Sequence, residues 1–169
     1  HTSSILGRVL DESGTSISGA TVTFNGQSVQ TNGDGVYQFF NVEVNSFHTH
    51  VTISKDGYFS TSRNFTTQKN ASISLVNILL KKDFASTFNA TYGGTVTLNQ
   101  VSLNFPANGI VVDATKVDYT GTVSVAIKYL DPTNNDIYDK MPGALEGISL
   151  DKQLEVLETF GMVYVELQG

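Results

Sequence analysis

Two histidines one residue apart form the sequence's closest approach to a metal-ligand pair. His48 and His50 occupy positions i and i+2 of a predicted strand, so both imidazoles would face the same side of a sheet. A zinc ion bound between them would need a third ligand from a neighbouring strand. The same alternation is typical of solvent-facing histidines on a half-buried strand, and we favour that interpretation. We therefore predict no metal site and no cofactor.

An oxygen-rich loop is the other candidate for binding a cation. Its side chains are Asp131, Asn134, Asn135, Asp136 and Asp139, and calcium takes about six to eight oxygen ligands. The helix–loop–helix calcium pattern requires Gly at its sixth position, where this loop has Asp136. A solvated loop is therefore the better interpretation.

No catalytic constellation is recognisable. Ser is abundant, but the sequence has no Gly-x-Ser-x-Gly elbow, and its three His follow no triad order. The absence of Cys excludes thiol catalysis, disulfides and zinc–thiolate sites. Gly33-Asp34-Gly35 lacks the Lys of a phosphate-binding loop and precedes a strand rather than a helix. We expect no enzymatic activity.

Aromatic side chains are the remaining candidates for contact with a ligand. Four tyrosines could stack on sugar rings: Tyr92, Tyr119, Tyr129 and Tyr138. The sequence has no Trp, and this weakens a carbohydrate-binding interpretation.

Charge and hydropathy exclude several classes of partner. The formal net charge is −6, from 10 Lys and Arg against 16 Asp and Glu. Nucleic-acid binding needs a basic surface that displaces counterions, and the sequence has no basic cluster. No apolar run approaches the roughly 20 residues of a membrane-spanning helix. The chain begins with His, and we expect that any signal peptide has been removed.

Short strands joined by turns are predicted along the whole chain. Turns recur at a spacing of about 8–12 residues, as in sandwiches and small barrels. Asn25-Gly26 is a type I′ hairpin signal, because both of its residues tolerate positive φ. The later segments 95–98, 101–105, 109–113, 121–130 and 162–167 also have strand patterns, and we favour a strand over a helix within 150–159.

The strand pattern lapses between residues 81 and 91. We predict an all-β chain of two tandem β-sandwiches, residues 1–82 and 83–169. The open edge of the second leaves two alternatives, truncation within that domain or continuation into further chain. Each sandwich should have its own core, and residues 1–82 should fold alone.

The first segment resembles the carboxypeptidase regulatory-like domain. The resemblance is carried by the order of glycines and hydrophobic residues in Gly7-Arg8-Val9-Leu10-Asp11, Gly19-Ala20-Thr21-Val22, Gly35-Val36-Tyr37-Gln38-Phe39 and Lys55-Asp56-Gly57-Tyr58. It implies a transthyretin (prealbumin)-like β-sandwich without catalytic residues of its own. Met141-Pro142-Gly143 and Glu158-Thr159-Phe160-Gly161-Met162 are similar to segments that follow such domains in bacterial surface proteins.

Three functions are compatible with these observations. The first is a non-enzymatic structural or adhesion module of a secreted or lipid-anchored bacterial protein, outside the cell or at its surface, with a protein or glycan partner. The second is a carbohydrate-binding module. The third is the periplasmic extension of a TonB-dependent outer-membrane receptor, for which a plug sequence should follow residue 80; we recognise none.

Overall fold

The computed structural model describes residues 1–45, 49–98 and 101–169. These residues form fourteen β-strands and one short helix. In chain order they are β1 (Thr2–Asp11), β2 (Thr21–Phe24), β3 (Gln27–Gln30), β4 (Val36–Glu43), β5 (Thr49–Ser54), β6 (Thr61–Phe65), β7 (Ser72–Leu79), β8 (Ser86–Asn89), β9 (Gly94–Leu98), β10 (Val101–Phe105), β11 (Thr122–Leu130), α1 (Ile137–Lys140), β12 (Glu146–Ile148), β13 (Leu154–Val156) and β14 (Met162–Gln168).

The described chain divides into two compact units. The first unit joins His1–Lys81 with Leu130–Met162, and the second joins Lys82–Tyr129 with Val163–Gly169. The predicted all-β class is confirmed, since α1 is four residues long and strands form both units. The predicted domain boundary at residue 82 states that residues 1–82 fold alone, and it stays a prediction.

Two sheets form the sandwich of the first unit. One has the strand order β4-β1-β7, with β1 and β7 parallel, and the other has the order β3-β2-β5-β6. Alternate side chains of each sheet enter one shared hydrophobic core, as the period of two requires. The buried side chains at its centre are Ile5, Val9, Val22, Phe24, Phe39, Val51, Ile53 and Leu79.

A polar contact lies inside this core. Asn77 on β7 is 1% exposed, and its Nδ2 donates to the Tyr37 hydroxyl at 3.1 Å and to the Arg8 carbonyl at 3.3 Å. Its Oδ1 has no hydrogen-bond partner among the described residues. Burial raises the pKa of Tyr37 to about 12, against the opposing effect of the Asn77 hydrogen bond. A Cβ on Gly7 would overlap the Tyr37 ring, so glycine is required there for space.

Residues 137–143, here called the strap, lie along the first unit. Ile137 and Met141 are buried, and α1 packs against β7. Arg63 on β6 donates to the carbonyl of Tyr138 at 2.5 Å and to that of Asp139 at 2.9 Å. The Gly143 N–H donates to the Ser62 carbonyl at 2.8 Å. The strap is therefore attached to β6 through its backbone.

The structure differs from the predicted elements in several places, and one is β8, which lies in the interval 81–91 where the strand pattern lapses. Residues 109–113 contain no strand; they form only an isolated bridge, Val111 to Asp118, because positive φ at Asn108 and Lys116 turns the backbone. Helix α1 was not predicted, since a single turn is too short to show a helical period. The predicted strand within 150–159 is confirmed as β13, which pairs with β12.

The second unit has its own small core. Its sheets have the strand orders β14-β11-β8 and β10-β9. Phe88 and Phe105 stack with ring centroids 4.4 Å apart, and Val96, Val123, Val125 and Ile127 are buried with them. In the same unit, Leu98 on β9 and Val165 on β14 are 38% and 42% exposed.

Candidate functional site

An aromatic side chain faces outward from the first unit beside a β-bulge in β4. Ile5 pairs with Phe39 and Ser3 with Val42, so β4 has one more residue than β1 over this interval. Asn41 absorbs the extra residue at φ +47, and its N–H donates to Ser4 Oγ at 3.3 Å. Phe40 and Asn41 are consequently both exposed, between the buried Phe39 and Val42. Phe40 is 70% exposed.

Phe40 lines an open pocket, here called the Phe40 pocket. It has a volume of about 400 Å³ and is formed by Phe24, Asn25, Gln27, Phe40, Asn41, Val42 and Glu43. Ligand-binding pockets typically have volumes of about 300–1,000 Å³. Phe24 and Val42 contribute buried apolar surface, and the other residues are exposed. The pocket therefore combines an aromatic ring with amide and carboxylate groups.

The hairpin between β2 and β3 forms one wall of this pocket. Asn25 and Gly26 have φ values of +46 and +78, which confirms the predicted two-residue turn. Asn25 Nδ2 donates to the Glu43 carbonyl at 2.9 Å and thereby links the hairpin to β4. Among the described residues, the side chains of Gln27, Asn41 and Glu43 make no hydrogen bond or ion pair. Their polar groups are thus available to a ligand.

Sequence analysis missed Phe40. The signal was present as Phe39-Phe40-Asn41, two adjacent aromatic residues where a half-buried strand should alternate. Only one of two neighbouring strand residues faces the core, so the second ring had to be exposed or the strand had to bulge. The bulge itself depends on pairing with β1, which no local pattern shows.

A second depression of the first unit lies beside Arg63. It has a volume of about 280 Å³ and is lined by residues that include Asn64, Tyr138, Leu145 and Val156. Arg63 already donates to the strap carbonyls, and its guanidinium lies 3.7 Å from the Asp139 carboxylate. A ligand would have to compete with those contacts, so the Phe40 pocket is the better candidate.

The four predicted stacking tyrosines occupy different environments. In the second unit, Tyr92 is 82% exposed in the turn after β8, whereas Tyr119 and Tyr129 are half-buried. The Tyr119 hydroxyl donates to the Thr122 carbonyl at 3.2 Å, and its ring packs against the core. In the first unit, Tyr138 is 57% exposed on α1. Their role in ligand binding stays a prediction.

The candidate cation ligands are placed as follows. His48 lies outside the described residues, and His50 is exposed on β5 opposite Asn64. Asp136 accepts from Lys140 Nζ at 2.6 Å, and Asp139 faces Arg63. Over the described ranges, no three His, Cys, Asp or Glu side chains are grouped closely enough to hold a metal ion.

Asp131 serves as the cap of its own turn. Its Oδ1 accepts from the Thr133 hydroxyl at 2.6 Å and from the Thr133 N–H at 2.8 Å. These hydrogen bonds hold the pKa of the Asp131 carboxyl below its ordinary value. Asp11 has a similarly lowered pKa, because Ser13 and Thr15 donate to it. Both carboxylates stabilise turns.

No helix in the described part of the chain is long and apolar enough to cross a membrane.

Comparison with known proteins gives a matching family model and several similar solved structures. The family model of the carboxypeptidase regulatory-like domain matches residues 4–81. No curated protein matches the sequence.

Three solved structures are similar to parts or most of the chain. A protein from Bacteroides fragilis, provisionally described as membrane-associated and of unknown function, has 20% identity and a TM-score of 0.39, over 47% of this chain and 28% of that one. A type II cohesin–X-dockerin complex from Acetivibrio cellulolyticus has 18% identity and a TM-score of 0.37, over 48% of this chain and 59% of that one. A protein from Bacteroides uniformis, provisionally described as carbohydrate-binding, has 10% identity and a TM-score of 0.35, over 98% of this chain and 78% of that one. These TM-scores are too low to establish a shared fold.

The family match and the fold agree over the same residues. The match begins within β1 and ends just after β7, and those seven strands form the two sheets that enclose the first core. Residues 4–81 therefore match the carboxypeptidase regulatory-like domain, and they fold as a transthyretin-like β-sandwich.

Proposed function

We propose that the chain is a non-enzymatic structural and adhesion module of a secreted or lipid-anchored bacterial protein, located outside the cell or at its surface. The observation that carries this proposal is the regulatory-like domain at residues 4–81, which is a non-catalytic type. The use of acidic side chains supports it further. Asp11 and Asp131 accept hydrogen bonds within turns. Asp136 and Asp139 pair with the basic side chains of Lys140 and Arg63. These four carboxylates therefore do not converge on a cleft.

Immunolabelling of intact source cells tests the location. An antibody raised against residues 1–169 should label intact cells, and external protease should remove the signal. Labelling that appears only after permeabilisation would contradict an extracellular position.

In-frame deletion of residues 1–169 from the full-length protein tests the adhesive role. We expect weaker attachment of cells to their natural surfaces, with unchanged amounts of the remaining protein. Unchanged attachment would contradict the adhesive role, and the module would then have only a structural role as a spacer.

Carbohydrate binding is a second candidate function, and the Phe40 pocket is the observation that favours it. An exposed ring surrounded by amides and a carboxylate suits a ligand with both a C–H face and hydroxyl groups. The partner would then be a glycan at the cell surface rather than a protein.

A further inference from the structure

We propose that the Phe40 pocket binds a neutral saccharide ring, with the Phe40 face as its stacking platform. This inference deepens the proposed function and rests on it, because a surface module is the setting in which the pocket would meet glycans. It also places the ligand at a residue outside the four tyrosines predicted from sequence.

The shape of β4 explains why Phe40 is available for stacking. A regular strand would direct Asn41 into the core after Phe40, whereas the bulge leaves both residues exposed and returns Val42 to the interior. The bulge places Asn41 at φ +47, a region that residues other than Gly adopt infrequently. Bulges commonly re-aim side chains beside functional sites. Here the re-aimed side chain is that of Asn41, which stays exposed beside the outward-facing Phe40 ring.

The groups around the ring match the edge of a sugar. Each sugar hydroxyl both donates and accepts hydrogen bonds, and the Gln27 and Asn41 amides offer both functions. Glu43 adds a carboxylate that can only accept when ionised. These three side chains make no hydrogen bond with other described residues, so binding would not have to break existing contacts.

The walls of the pocket are held in place before any ligand arrives. The Asn25-Gly26 turn fixes the end of the β2–β3 hairpin, and Asn25 Nδ2 ties that turn to the Glu43 carbonyl. Phe24, which is 1% exposed, anchors the floor in the core. Such preorganisation reduces the entropy lost on binding.

The charge of the pocket selects among saccharides. Its lining, among the residues that the structure describes, contains Glu43 and has no Lys, Arg or His, and the sequence carries a net charge of −6. An anionic sugar or a phosphate would face the Glu43 carboxylate and a repulsive field. Neutral hexoses and pentoses are therefore the ligand class.

The absence of Trp from the sequence permits a selective assay. In the full chain carrying Phe40→Trp, tryptophan emission arises from the pocket alone. The probes are cellohexaose, xylohexaose, maltohexaose and mannohexaose, with heparin hexasaccharide as the anionic comparison. We expect at least one neutral probe to shift the emission, and the same probe to shift amide resonances of β3 and β4 in the unmodified chain.

Two alanine variants separate the pocket from non-specific stacking. Phe40→Ala should weaken binding about tenfold or more, since the aromatic contact contributes beyond its buried area. Phe160→Ala is the matched control, because Phe160 is 88% exposed and does not line the pocket. Both variants should keep the amide spectrum of the folded chain, since each removes an exposed side chain.

Several outcomes would overturn the proposal. They are the failure of all neutral probes to bind, undiminished binding by Phe40→Ala, equal loss with Phe160→Ala, and preference for the heparin fragment. Each concerns the ligand alone. The location of the module is decided separately by immunolabelling, so failure here is distinguishable from failure of the proposed function.

Discussion

Replacing Gly7 with alanine should destabilise the first unit, although the same change in a strand is ordinarily favourable. Gly7 lies in β1 between Tyr37 and Leu75 of the neighbouring strands, and its φ is not positive. Glycine in a strand interior costs about 0.5–1 kcal/mol relative to alanine. The backbone alone therefore predicts that Gly7→Ala stabilises the protein by that amount.

The Tyr37 ring reverses this sign. A Cβ at position 7 would overlap the distal ring atoms of Tyr37, which is 2% exposed. Overpacking of a core costs about 1–3 kcal/mol. Displacing the hydroxyl would also remove a hydrogen bond of Asn77, whose Oδ1 is already unsatisfied, at about 1–3 kcal/mol. The net destabilisation should be about 2–4 kcal/mol after the backbone gain.

Urea unfolding followed at amide resonances of the first unit measures this effect. Gly33→Ala is the matched control, since no atom lies within 4 Å of a Cβ there and its φ is not positive. It should change stability by less than about 1 kcal/mol.

A double-mutant cycle identifies the cause. In a Tyr37→Leu background the overlapping atoms are gone, so Gly7→Ala should become neutral or stabilising. If Gly7→Ala is harmless in the unmodified chain, or equally harmful in both backgrounds, the steric explanation is wrong.

Three further predictions follow from the hydrogen bonds and pKa shifts. Folding favours the neutral form of Tyr37, because burial raises its pKa from 10.0 to about 12. The stability that this provides is complete below pH 10 and should be lost as the pH rises from about 10 to 12. The urea midpoint of unfolding should therefore fall over this pH range in the unmodified chain, and it should depend less on pH in Tyr37→Phe. Arg63→Met should lower the free energy of unfolding of the first unit by about 1.5–3 kcal/mol, because the carbonyls of Tyr138 and Asp139 lose a charged donor. It should also expose residues 137–143 to limited proteolysis. Arg63→Lys should recover little of the lost stability, since one ammonium cannot reproduce the planar fork of the guanidinium. Asp131 has a lowered pKa, so its contribution is present above the ordinary carboxyl pKa and lost as the pH falls through the folded value; Asp131→Ala should lower the thermal midpoint slightly at pH 7 and not at all at low pH.

The first sandwich could be predicted because its determinants are local. Alternation in β1 places Ile5 and Val9 inward, and the Asn25-Gly26 turn fixes the following hairpin in register. Gly35 adopts φ +74 in the turn before β4, a conformation that glycine adopts without strain. Each of these features is decided within a few residues of chain, so pattern and turn chemistry suffice.

The candidate site depends on contacts that local patterns do not contain. Asn41 is kept exposed beside Phe40 by a change of register against β1, more than thirty residues earlier in the chain. Asn25 is fixed to the Glu43 carbonyl 18 residues away. A sequence pattern could show that Phe39-Phe40 breaks the alternation, but not which ring would be exposed or which amides would surround it.

The strap is the clearest case of a long-range determinant, and it sharpens the expectation for residues 1–82. Arg63 reaches carbonyls 75 and 76 residues further along the chain, where no periodicity could indicate a partner.

A fragment of residues 1–82 retains β1–β7 and the shared core, so it should give a dispersed amide spectrum. It lacks α1, which packs against β7, and the acceptors of Arg63. Its urea midpoint should therefore lie below that of the first unit in the full chain, and Arg63→Met should cost less in the fragment than in the full chain. A collapsed spectrum would show that residues after 82 are required for folding, and equal midpoints would show that the strap contributes no stability.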